Sequence, residues 1–467
     1  MEDQVRGQAG PSQKRKTTEQ LIARFDINAF QDGRLRELRV SPDNRRIAYI
    51  ADAQEGVRVV IDQSLGRTYN NVWAGSLSFS PDSQAVTYLA TRGSHSFVIS
   101  GDQEYGPYDQ MIDCSPTFSA DSQHFAYAAQ QKEKAAVFRD SELVGQFEGL
   151  GDRLTYSPDG CTLAFRARSG EKEYIISNER VGNPYDRVGN PRFSLDSSRL
   201  AYVARRDGKW FVVVDEQEGR PFEHALHPVF SPDSQRLAYY AGNEKSWFVV
   251  VDDEPMGPYF EFSIGEKRSF KFSPDSNRLA CIGSEREKWF AFRRLREFVV
   301  VDNVEGRRYM DAANLRFSPD SKRLAYLASR TRRTYVIVDG EEHGPYTAVG
   351  PASPVFSPDS KRVAYSARAQ NKWAAYIDGI RSGTHHKRAK TPVFSPDSHS
   401  IAYTVATTEG FVHVVVNDDH GPAYRSIFMS DGDGIVFDSP SNLHYIANSN
   451  DEHTLLVTEH FSSHPQT

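Results

Sequence analysis

Phe356-Ser357-Pro358-Asp359-Ser360-Lys361-Arg362-Val363-Ala364-Tyr365 is one of ten closely similar stretches in a chain of 467 residues. The apolar run Pro354-Val355-Phe356 leads into it. A polar loop and then Trp373-Ala374-Ala375-Tyr376-Ile377-Asp378 follow it. Proline at the second turn position presets φ, and the adjacent Asp and Ser hydrogen-bond locally, so Ser-Pro-Asp-Ser reverses the chain between two short extended runs. The signature aspartates are Asp43, Asp82, Asp121, Asp159, Asp196, Asp233, Asp275, Asp320, Asp359 and Asp397, spaced by 39, 39, 38, 37, 37, 42, 45, 39 and 38 residues. A degraded eleventh copy reads Phe437-Asp438-Ser439-Pro440-Ser441.

Each unit has the grammar of four short strands separated by turns. The third run is purest in Phe211-Val212-Val213-Val214-Asp215, and a fourth often follows a glycine, as in Gly106-Pro107-Tyr108, Gly257-Pro258-Tyr259 and Gly344-Pro345-Tyr346. β-Branched and aromatic enrichment in runs this short favours strands over helices. Length alone suggests about three domains, but eleven units of about 40 residues fill the chain and leave no slot for a different fold. Ala120 and Leu195 replace the proline in two copies. That tolerance, and the repetition itself, point to a turn role for the signature aspartates rather than a catalytic one. Asp215, Asp252, Asp302 and Asp339 read as strand terminators and turn formers.

Tandem four-stranded units of about 40 residues predict a β-propeller. The repeat resembles the TolB-type, WD40-like propeller repeat, whose usual form is FSPDGxxIAY. The resemblance covers nearly the whole chain and implies the fold. The sequence departs from it by carrying Ser where the family has Gly in most turns; only Gly160 matches. Propellers of this kind often gate serine peptidases, but no GxSxG motif is present here.

Spacing also predicts ring closure. Tyr69, Tyr108 and Tyr346 each precede a signature Asp by 13 residues, and so does Phe30, which belongs to no preceding unit. The last unit ends on Thr454-Leu455-Leu456-Val457 with its fourth strand missing. The segment around Phe25 to Phe30 is therefore expected to complete the last blade. Eleven blades exceed the usual four to eight. One wide ring or two rings of five and six blades would satisfy the count, and the lack of a linker favours one. The expected organisation is a polar disordered tail over 1–20, a propeller over 21–460 and a short tail over 461–467.

Composition excludes several classes. No apolar run is long enough to span a bilayer, and the first twenty residues lack the apolar core of a signal peptide, which places the chain in the cytoplasm. Lys14, Arg15 and Lys16 in that stretch read as solvated. The net charge of −6 argues against nucleic acid as partner, and three cysteines make no framework.

Binding candidates lie where the repeat is broken. The first is an insertion, Glu285 to Arg296, in which Trp289, Phe290, Phe292, Arg293, Arg294 and Arg296 mix the aromatic and guanidinium groups favoured as protein anchors. The second is His385-His386-Lys387-Arg388, replacing Gly-Pro-Tyr and able to meet an acidic partner or phosphate. The third is Ser430 to Gly434, with Asp431, Asp433 and Asp438 nearby. These carboxylates lack a full calcium-loop pattern and read as turn chemistry. His224 and His227 flank a strand without metal-ligand spacing. No metal and no cofactor are implied. The expectation is a non-catalytic recognition scaffold for a protein, or for a small ligand or carbohydrate, through one face or the channel. A propeller-type carbohydrate lyase or hydrolase, and a gating subunit of a separate enzyme, are the alternatives.

Overall fold

In the computed structural model, the short apolar runs on either side of each Ser-Pro-Asp-Ser turn become neighbouring strands. Blade 8 is representative. Asp311–Phe317, Leu324–Arg330, Arg333–Val338 and Glu341–Tyr346 pair antiparallel in that order. The structure describes residues 15–24, 35–112, 116–243, 246–259, 270–289, 292–428, 434–449 and 453–461; for 35, 286–289, 292–294 and 383–385 it describes the backbone. Eleven such sheets occur among the described residues, six of them with the first strand split into two short pieces, and no helix of these residues is long and apolar enough to cross a membrane. Blades 1 to 10 span 35–69, 71–108, 110–147, 149–181, 187–218, 224–259, 271–305, 311–346, 348–386 and 388–420; blade 11 combines 426–460 with 16–24.

The chain forms one ring. Eleven apolar clusters lie one between each pair of neighbouring blades. The closing cluster joins Ile446, Leu456 and Ile22 of blade 11 to Ile47, Tyr49 and Val60 of blade 1. A single blade exposes both sheet faces, and only stacking in a closed circle buries them all.

The N-terminal strand closes the ring, but it is Lys16–Arg24 rather than the segment around Phe25 to Phe30, which lies outside the described residues. It pairs antiparallel with the last strand from Lys16 opposite His460 to Arg24 opposite His453. The boundary expected at residue 20 therefore moves to include residues 16–20. At the other end Phe461, placed in a tail by sequence, is 1% exposed. Arg15 is corrected too. Its side chain is only 8% exposed and is ion-paired with the fully buried Glu459. Polarity misled the sequence reading because a fourth strand is the outer edge of its blade and buries few residues; here only Ile22 and Ala23 are buried.

The turns hold the blades to each other as well as reversing the chain. In all ten copies the first Ser donates its hydroxyl to the Asp carboxylate at 2.5–2.6 Å. At eight interfaces the Asp backbone N–H then donates to the second Ser Oγ of the next blade, at 2.9–3.0 Å. These second serines sit at φ of 61–66°, where glycine is the easy choice. The hydroxyl bridge offsets the roughly 1–2 kcal/mol cost of that conformation, which explains Ser where the related repeat has Gly. Ser234→Ala is expected to destabilise by about 1–2 kcal/mol, losing the bridge and keeping the strain. Ser234→Gly loses the bridge but relieves the strain, so it is expected to be nearly neutral. Chemical denaturation of the two variants checks the order, and equal losses would refute this account.

In five of the ten copies an Arg after the turn adds a second bridge. Arg46, Arg199, Arg236, Arg278 and Arg323 each bind the Asp ending their own third strand (Asp62, Asp215, Asp252, Asp302 and Asp339) at 2.7–3.2 Å. Each also donates to two backbone carbonyls in the next blade's turn. Each guanidinium lies over the next blade's Phe at 5.0–5.8 Å. The third-strand aspartates are therefore ion-pair partners as well as turn formers.

Aromatic residues connect the outer parts of the blades. Tyr69 of the fourth strand, and Tyr185, Tyr309 and Tyr424, each bridged to its blade's third strand just beyond the fourth, meet the next blade's Tyr88, Tyr202, Tyr326 and Tyr445 edge-on. The same four hydroxyls donate to a fourth-strand Glu of that next blade: Glu104, Glu218, Glu342 and Glu19, at 2.6–3.1 Å. Glu19 belongs to the N-terminal strand, so that strand reproduces the fourth-strand chemistry of the internal blades.

Candidate binding face

First strands run toward the Ser-Pro-Asp-Ser turns and second strands run away, so second-to-third hairpins share the opposite end of the ring. On that end blade 7 departs from its neighbours. Leu279–Trp289 and Phe292–Val301 form ten cross-strand pairs, against six in blade 8. Four extra pairs extend the hairpin by about 13 Å.

The root of this hairpin is firmly tied. Arg308 donates to Glu285 at 3.1 and 3.3 Å and to Glu305 at 2.6 Å, and covers Phe298 at 4.3 Å. These carboxylates hold the Arg308 guanidinium above its ordinary pKa. Glu297, 3% exposed, accepts the Ala312 N–H of blade 8 at 2.8 Å.

The structure separates the insertion's candidates. Arg296 lies at the root, opposite Glu285. Arg293 and Arg294 lie near the tip, opposite Lys288 and Glu287, while Trp289 pairs with Phe292. The side chains of Trp289, Phe292, Arg293 and Arg294 lie outside the described residues, as does Phe290 altogether. Beside this hairpin, Arg332 in the blade 8 turn and Arg333 at the start of its third strand are exposed.

The histidine stretch is divided between two blades. His386 ends the fourth strand of blade 9, opposite Trp373, and is 8% exposed. Its ring lies 5.6 Å from that of His420, which lies 5.9 Å from that of His413. Lys387 and Arg388 are exposed and lead into the first strand of blade 10. The His385 side chain is outside the described residues. The four therefore do not form one solvated patch, because the tight step between blades turns His386 inward. Burial, then His413 and Arg15, push the His420 pKa down. Among the described residues no three His, Cys, Asp or Glu side chains are grouped to hold a metal ion.

Other candidates have packing partners. His224 stacks on Trp247 at 5.7 Å. His227 takes φ of 53° in an irregularity of its first strand. Asp438 binds Arg45 at 2.6 Å and His444 at 2.8 Å, and His444 also meets the Asp43 carbonyl at 2.8 Å, so this carboxylate joins blade 11 to blade 1. Ser430, Asp431 and Asp433 lie outside the described residues, and the Gly434 carbonyl accepts the Asn44 amide at 2.7 Å.

No family profile and no curated protein matches the chain. Solved structures do. A eukaryotic initiation factor is similar at 13% identity over 76% of this chain and 96% of its own, with a TM-score of 0.38. TolB from Acinetobacter baumannii is similar at 14% over 55% and 77%, with a TM-score of 0.27. The β-propeller domain of the Trilobed protease from Pyrococcus furiosus, described as having an open velcro topology, is similar at 13% over 58% and 94%, with a TM-score of 0.29. At such identities the likeness concerns the propeller fold alone.

Proposed function

We propose that this chain is a non-catalytic recognition ring that binds a protein partner through the hairpin end. The observation that supports the reading is the blade 7 hairpin, twice fastened at its root and longer than its neighbours by about four residue pairs. Regular blades make a stiff frame, and the segments that break the repeat carry specificity. The sequence near the tip contains Trp289, Arg293 and Arg294, residue types that dominate interface energies.

Affinity capture of the native protein with mass spectrometry tests this, run beside the Arg293→Ala/Arg294→Ala variant. The expected result is a specific protein retained by the native ring and reduced at least tenfold by the variant, with an unchanged unfolding midpoint. Equal recovery by both, or no specific protein above background, would overturn the proposal.

A further inference from the structure

The first strands lie at the inner edge of every sheet and line the channel. They are tied to one another across blades: Asn190 donates to Asp152 at 3.1 Å, Asn314 to the carbonyls of Pro351 and Ser353 at 2.8 and 3.1 Å, and Arg39 to the Leu77 carbonyl at 3.2 Å. On this edge Arg153 of blade 4, Arg192 of blade 5, Lys271 of blade 7 and Arg316 of blade 8 are exposed. None of the four makes an ion pair or side-chain hydrogen bond with the described residues. The contrast with the turn end is sharp, since Arg46, Arg199, Arg236, Arg278 and Arg323 each hold an aspartate.

These cations are not required by the fold. Arg192, Lys271 and Arg316 precede the turn Phe, and the same position holds Ser78, Thr117, Val355 and Val393 in other blades. In blade 1 it holds Arg39, which is neutralised by Glu37 at 2.7 Å. Arg192 also lies close enough to Arg153 and His227 to be felt by both. Arg192 meets solvent but is crowded by protein, and that partial desolvation and then Arg153 depress its pKa, while burial and then Arg192 depress that of His227. Arg153 is offset in part by the neighbouring Asp152, whose pKa it helps to lower, whereas Arg192, Lys271 and Arg316 pair with no carboxylate of the described residues, and uncompensated positive charge favours an external anion.

Resting on the reading above of a protein-binding ring, we infer that the inner edge of blades 4 to 8 receives an acidic polypeptide segment of the partner, its carboxylates opposite Arg153, Arg192, Lys271 and Arg316. Nucleic acid fits less well. The aromatic rings at this edge, Phe230, Phe272 and Phe317, are already covered by the arginines of the preceding blades, so no stacking platform is offered to bases.

The test uses the full chain and a labelled twelve-residue peptide of alternating Glu and Gly, followed by fluorescence anisotropy. The variant Arg192→Thr/Arg316→Thr installs a residue that the repeat itself places there, as Thr117 and Thr155 in blades 3 and 4, so folding is retained and is checked by its unfolding midpoint. Native protein should bind the peptide, with affinity falling at least tenfold in the variant and again in 0.5 M salt. Equal binding by native and variant protein, or tighter binding of a labelled oligouridylate of equal charge, would overturn the inference. A partner captured equally by native and variant rings would also overturn it and leave the protein-binding reading intact.

Discussion

Arg15→Ala is expected to lower the unfolding midpoint by several degrees and to release the N-terminal strand to proteolysis. The Arg15 side chain is 8% exposed and Glu459 is 0% exposed. Arg15 donates through Nε to Glu459 at 2.7 Å, through Nη1 to the Asp419 carbonyl at 2.7 Å and through Nη2 to the Val414 carbonyl at 3.1 Å, while Tyr445 donates to the other Glu459 oxygen at 2.6 Å. Removing the guanidinium leaves a buried carboxylate without its counter-charge, a loss of about 3–5 kcal/mol.

Even in the native ring burial holds the Glu459 pKa above its usual value, against the opposing pull of Arg15 and Tyr445. Without Arg15 it rises further. The folded variant then binds a proton that the unfolded chain has released, so stability falls as pH rises above the unfolded carboxyl value. The variant's deficit should accordingly be larger at pH 8 than at pH 5, and Arg15→Met/Glu459→Gln should recover most of it. Gly421 belongs to the same site: a Cβ there would lie 2.5 Å from Arg15 Nη2. Gly421→Ala should therefore mimic the loss. Limited proteolysis and thermal unfolding read all three variants; an Arg15→Ala protein as stable as native at pH 8 would refute the account.

Acidification is expected to produce the second large effect. Nine signature aspartates, Asp82, Asp121, Asp159, Asp196, Asp233, Asp275, Asp320, Asp359 and Asp397, have pKa values below the ordinary carboxyl range, chiefly because the turn Ser donates to each. Asp196 and Asp275 reach about 2. A folded pKa below the unfolded one gives stability that is present above about pH 4 and lost as pH falls through the folded value. The turns are linked around the ring, so their protonation acts on many interfaces in one pH window. The unfolding midpoint should be nearly level from pH 7 to 5 and fall steeply between pH 4 and 2. A midpoint at pH 2.5 equal to that at pH 7 would refute this. Ser194→Ala and Ser273→Ala should raise the pKa of Asp196 and Asp275, read by carboxyl carbon shifts.

Much of the fold was legible because the repeat is local chemistry written ten times. Pro358-Asp359-Ser360 states its turn without reference to any neighbour, and the missing partner of Thr454-Leu455-Leu456-Val457 required a strand from elsewhere. What the turn residues do sideways was not legible. Ser234 gave no sign that its hydroxyl meets Asp196, 38 residues earlier, since that contact exists only between stacked blades. The N-terminal strand was misplaced because Lys16 to Arg24 carries the polar signal of a tail, and an outer edge tolerates it. At the candidate site, the insertion was legible from spacing, but Arg296 at the root and Arg294 near the tip look alike until cross-strand register separates them. Arg192 and Arg236 also look alike in the chain. One is left without a counter-charge in the channel and the other is paired with Asp252 at 2.8 Å.

By itself the sequence determined the unit, its four strands, the eleven repetitions and the need for closure, because turns and strands are set by residues close together in the chain. The tertiary structure alone decided the single ring, the strand that closes it and which charges are neutralised. Those outcomes depend on faces and side chains about 40 or several hundred residues apart, which meet only when every blade has buried both its faces against its neighbours.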